Sequence, residues 1–93
     1  MVTLEKIKKT AKKLNVNLNV VSPQVLKTAV EIEMEHGLVV PRTNVTDGNL
    51  TKTMKIALAH LDEFPDYYTR LVRMEEQADK YWANKKKPSI WLD

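Results

Sequence analysis

The stretch Ser22–Gly37, SPQVLKTAVEIEMEHG, constrains the fold more than any other part of the chain. Ser22 is a good N-cap, and Pro23 suits the first helical position, where a missing N–H costs nothing. Gly37 can supply the left-handed residue that closes a helix. At about 100° per residue, Val25, Leu26, Ala29, Val30, Ile32 and Met34 share one broad face, with Lys27, Thr28, Glu31 and Glu35 opposite. Glu33 and His36 fall inside the apolar arc, one turn apart. A carboxylate and an imidazole at core positions need partners, because burying them bare is costly.

The rest of the chain repeats the helical period. Leu4, Ile7, Ala11 and Leu14 predict a first helix over 3–14. The second is expected over 23–36. Leu50, Met54, Ala57, Leu58 and Leu61, extended by Phe64, predict a third over 50–63, with an N-cap among Thr46 to Asn49. Pro65 breaks the chain, and a fourth helix follows over 66–84. Its expected inner face is Tyr67, Tyr68, Leu71, Val72, Met74, Ala78, Tyr81 and Trp82, with Glu75 among them. Two glycines, no repeats and few β-branched runs complete the case for an all-α bundle of about four helices. Residues 15–21, NVNLNVV, alternate polar and apolar. They read as an extended connector that tucks in Val16, Leu18 and Val20, or as a strand pairing with Leu38-Val39-Val40.

Ninety-three residues suffice for one modest core, so a single domain is expected over 1–93. A composition 43% hydrophobic and 29% charged is that of a globular protein. The absence of cysteine excludes disulfide scaffolds, thiolate zinc sites and cysteine catalysis. No apolar run approaches the roughly 20 residues of a membrane span, and MVTLEKIKKTAKKL is charged throughout, unlike a secretory signal. An intracellular setting, not secretion or a membrane, is expected, and the Asn44 and Asn49 sequons carry no weight there. No nucleophile motif or glycine-rich phosphate loop is present, so an enzyme is not expected.

Three groups of residues stand out as candidate sites. Glu33 and His36 form Glu-x-x-His; His60 and Glu63 form the reversed pair on another helix; Glu75 can join from a third. Such ligands on facing helices suit zinc, iron or manganese. A di-iron site, however, wants two Glu-x-x-His motifs in the same sense. The alternative is a structural polar core of Glu33, His36, His60, Tyr67, Tyr68 and Glu75, with tyrosine hydroxyls donating to Glu33 and a histidine to a carboxylate. Lys6, Lys8, Lys9, Lys12 and Lys13 form a basic face that suits phosphate, although no arginine or aromatic is interleaved. Lys85 to Lys87 suit the last turn of a helix. Beyond Pro88, the tail over 85–93 offers Ile90, Trp91 and Leu92, either folded back or as an anchor for a partner.

EIEMEHG at 31–37 and KIALAHLDEFPDYYTRLVRMEE at 55–76 resemble a small helical family of unknown function carried by large double-stranded DNA viruses and tailed phages, and scattered in bacteria. The similar pattern falls on Glu33, Met34, Glu35 and His36, then on Ile56, Ala57, His60, Leu61, Glu63, Pro65, Asp66, Tyr67 and Tyr68. It runs from Ser22 to Glu76 and leaves the lysine helix and the tail outside a family-like core of 22–84. The resemblance implies a viral or phage protein associated with the virion, in host cytoplasm or virion. The lysine helix and the tail are the surfaces expected to meet virion or host proteins, or nucleic acid.

Overall fold

The computed structural model describes residues 2–39 and 41–92; the side chains of 36–39 and 41 lie outside the described residues. The fold is all-α. Four helices follow in order: α1 Leu4–Lys13, α2 Pro23–Val39, α3 Leu50–Glu63 and α4 Tyr67–Trp82, with a 3-10 turn at Pro41–Thr43.

The first three helices each begin at a side-chain cap, whereas Asp66 before α4 makes no capping bond. Thr3 accepts from the backbone N–H of Lys6 at 3.2 Å, Ser22 from that of Val25 at 3.1 Å, and Asn49 from that of Lys52 at 2.9 Å. The ends differ more from expectation. α2 does not stop at Gly37 but continues to Val39. An interior glycine costs a helix only about 1 kcal/mol, and the stop is set instead by Pro41, which disfavours helical geometry in the residue before it. Leu38 and Val39 are therefore helical, and Val40 lies outside the described residues.

The connector is not a strand. Asn15 takes a left-handed conformation (φ 61°) just past α1. Its N–H donates to the Lys12 carbonyl and that of Val16 to the Ala11 carbonyl, the paired bonds of a Schellman closure. Asn17 then accepts from the Asn19 N–H through Oδ1, and its carbonyl receives the N–H groups of Val20 and Val21. The alternating asparagines thus build two successive turns. In consequence Val16, Leu18 and Val21 pack on the core while Val20 is 78% exposed. No strand forms among the described residues.

The core is the meeting of α1, α2 and α3. Ile7 and Ala11, Leu26, Ala29 and Val30, and Met54, Ala57 and Leu61 are buried, with Tyr68 contributed by α4. Thr53 is buried as well, because its hydroxyl donates to the Asn49 carbonyl at 2.7 Å. Val25 and Phe64 are partly exposed rather than core.

α4 departs most from its expected role. Only Tyr68 is buried; Tyr67, Leu71, Glu75 and Trp82 are half-buried, and Val72, Met74, Ala78 and Tyr81 are exposed. The six consecutive residues Glu76 to Tyr81 are all exposed, which spans more than a full turn at about 3.6 residues per turn. The distal half of α4 therefore stands clear of the core. The molecule measures 44 × 26 × 23 Å, with a radius of gyration of 15.1 Å, against about 12 Å for a compact domain of this length.

Candidate functional site

Pro65 turns the chain so that the first turn of α4 returns over the last turn of α3. Tyr67 N–H donates to the Phe64 carbonyl at 3.0 Å and fixes that turn. Tyr67 and Tyr68 are consecutive, so they leave the helix about 100° apart and meet His60 in two ways. The Tyr67 ring stacks on the imidazole, with centroids 4.2 Å apart and planes 6° from parallel. Tyr68 passes beneath, its ring edge-on to both His60 and Tyr67.

The polar ends converge on Glu33 of α2. The Tyr68 hydroxyl donates to Glu33 Oε1 at 2.9 Å, and His60 Nδ1 lies 3.2 Å from the same oxygen and 3.1 Å from the Tyr68 oxygen. An Nδ1–H tautomer satisfies both contacts, a choice made from the hydrogen-bond network. The three groups come from three helices and use one another as partners. Burial, followed by the hydrogen bond and charge of Glu33, pushes the Tyr68 phenol well above its ordinary value of 10. Among the described residues no buried side-chain nitrogen or oxygen lacks a partner.

The remaining sequence candidates scatter. Glu63 is exposed and lines a different groove, and Glu75 is half-buried further along α4. The side chain of His36 lies outside the described residues. Among the described residues no three His, Asp or Glu side chains gather as a metal would require. Glu33 and His60 are brought together; Glu63 is not brought to them. Lys6, Lys8, Lys9, Lys12 and Lys13 are all exposed on α1. In the tail, Ile90 and Leu92 are exposed, while Arg42 sits over the Trp91 ring at 4.7 Å, so the chain folds back as far as the 3-10 turn.

A second feature was not anticipated. Beside the brace, Phe64, Tyr67, Arg70, Leu71 and Met74, with Glu63 at one end, line an open groove of about 300 Å³ on α4. Arg70 lies over the Phe64 ring at 4.3 Å and Lys85 over the Tyr81 ring at 3.7 Å. Tyr67, Leu71, Met74, Ala78 and Tyr81 recur in the sequence at 4-3-4-3 spacing, a narrower seam than the broad inner face that the whole helix suggests.

The fold and site define a small all-α domain whose α2, α3 and α4 are tied by one Glu-His-Tyr brace. The chain belongs to the family described as Protein of unknown function (DUF5661), whose model matches residues 7–77. The match reaches back to Ile7, so most of the lysine-rich helix lies inside the family domain rather than outside it. No curated protein and no solved structure matches the chain.

Proposed function

We propose that this protein is a non-enzymatic interaction module that uses the distal half of α4 and the C-terminal tail to hold a partner protein. One observation carries the reading: Met74 and Tyr81 on the distal half of α4, and Ile90 and Leu92 on the tail, are large apolar side chains left exposed. A helical segment this short gains little from propensity alone, and most helical stability in proteins comes from packing an apolar face. Met74 and Tyr81 share one face of α4, and exposed apolar side chains that share a face mark interaction surfaces. The brace supports a structural rather than catalytic role, since its Tyr68 and His60 donors are already spent on Glu33. The likeness of residues 31–37 and 55–76 to viral and phage proteins supplies the setting, a virion component of a large DNA virus or tailed phage.

Cross-linking mass spectrometry through Lys80, Lys85, Lys86 and Lys87, in the cells that make the protein, tests the reading. Links from these lysines to one partner, lost in Tyr81→Asp with the circular dichroism unchanged, are expected. Links no different from those of the Tyr81→Asp variant would refute it.

A further inference from the structure

The apolar strip on α4, half-buried at Tyr67 and Leu71 and exposed from Met74 onward, has a chemistry that narrows its occupant. Tyr67, Leu71, Met74, Ala78 and Tyr81 recur at 4-3-4-3 spacing and fall within an arc of about 80° at roughly 100° per residue. That is the seam of a helix that packs lengthwise against another helix. One edge of the seam, Tyr68, Glu75 and Trp82, consists of buried and half-buried residues. The other edge carries Arg70, Arg73 and Lys80, all exposed, and Lys85 extends it past the helix end over the Tyr81 ring. That border also holds exposed Gln77 and, at its start, Asp66, whose carboxylate lies 4.0 Å from Arg70 Nε. Arg73, Lys80 and Lys85 keep its net charge positive, and Glu63 lines the groove at its start.

We propose that this strip is the docking site for an acidic amphipathic helix of another protein. The partner lays apolar side chains, spaced i, i+4, i+7, into the groove beside Phe64 and Met74 and along to Tyr81. Its carboxylates, on the flank of that row, meet Arg70, Arg73 and Lys80. The cations over the Phe64 and Tyr81 rings then serve twice, covering each aromatic in the free protein and pairing with carboxylates in the complex. The inference rests on the interaction reading above and adds the chemistry of the partner.

Two other occupants fit less well. In an antiparallel pair of copies, each edge of the seam faces the same edge of its mate, which sets Arg70, Arg73 and Lys80 against themselves. A parallel pair requires the Glu75 edge, which is partly covered in its own chain. A bilayer surface cannot follow a groove whose wall is Tyr67, held flat on His60, whereas a single helix can.

The test uses the full chain and two fluorescein-labelled peptides, each about 20 residues long so that helicity is attainable. Both carry leucines at heptad a and d positions; one has glutamates at e and g, the other lysines. Fluorescence anisotropy should show the glutamate peptide binding at least tenfold tighter than its lysine twin. Met74→Asp should weaken it at least tenfold, and Arg70→Glu/Arg73→Glu should reverse the preference, with circular dichroism unchanged in each variant. No binding of the glutamate peptide at 100 µM, or equal binding of the two peptides, overturns the proposal. So does concentration-dependent dimerisation in sedimentation, or binding to phosphatidylserine vesicles, when either is abolished by Met74→Asp. If cross-linking finds a partner on α4 while the glutamate peptide fails, the interaction reading stands and the acidic partner falls.

Discussion

The Tyr68 hydroxyl donates to the Glu33 carboxylate at 2.9 Å across 35 residues of sequence, and so ties α4 to α2. Removing that donor leaves a mostly buried carboxylate with His60 as its one remaining partner in the brace. Tyr68→Phe keeps the ring packing and should cost about 1.5–3 kcal/mol, the range for a bond to a charged acceptor. Glu33→Gln should cost less than Glu33→Ala, because an amide oxygen still accepts from Tyr68. Urea denaturation with a common m-value measures all three.

The same phenol sets an alkaline limit. Burial and Glu33 raise the Tyr68 pKa above its ordinary 10, so the folded protein keeps a proton that the unfolded chain gives up. Above pH 10 the unfolded state binds fewer protons than the native one, and stability falls with rising pH. The contribution is whole below pH 10 and is lost progressively as the pH climbs toward the raised value. Urea midpoints taken between pH 8 and 11 should decline more steeply for the wild type than for Tyr68→Phe. Parallel curves would show that Tyr68 ionises alike in both states.

The helices were legible from their apolar periods, and three of the four begin at a cap with one mechanism: Thr3, Ser22 and Asn49 all accept from the N–H three residues on. Glu33, His60 and Tyr68 were legible as polar groups at core positions, but which donor would reach which acceptor depends on how α4 turns after Pro65. Two misreadings share a cause, a pattern taken for one structure when it encodes another. The asparagines of NVNLNVV mimic strand alternation, yet their side chains and the left-handed geometry of Asn15 favour turns. In α4 the apolar period continues past Leu71 through Met74, Ala78 and Tyr81, although α1, α2 and α3 already fill the core with Ile7, Leu26, Val30 and Met54. Periodicity says that a face will be covered, not by which molecule.

Asn15 offers a backbone test of that turn. Its φ of 61° costs a side chain with a Cβ roughly 1–2 kcal/mol, less for asparagine than for most residues. Asn15→Gly should therefore leave stability unchanged or raise it by a few tenths of a kcal/mol, while Asn15→Ala should lower it by about 1 kcal/mol. Thermal melts of the two variants beside the wild type decide it; equal melting temperatures for Ala and Gly would mean that residue 15 is not held in the left-handed conformation in solution.

Met54 and Met74 are the same residue in opposite surroundings. Met54 on α3 is fully buried among α1, α2 and α3, whereas Met74 on α4 is 57% exposed. Met54→Ala removes core contacts and leaves a cavity, for a loss of roughly 2–5 kcal/mol. Met74→Ala gives up little packing and should stay within about 0.5 kcal/mol of wild type in the isolated protein. The ordering should reverse for partner binding, where Met74 lies in the seam and Met54 does not. Chemical denaturation of both variants, followed by anisotropy titrations with the glutamate peptide, separates the two roles. A loss of several kcal/mol for Met74→Ala would mean that the distal half of α4 packs on its own core in solution, and the strip would then be covered from within.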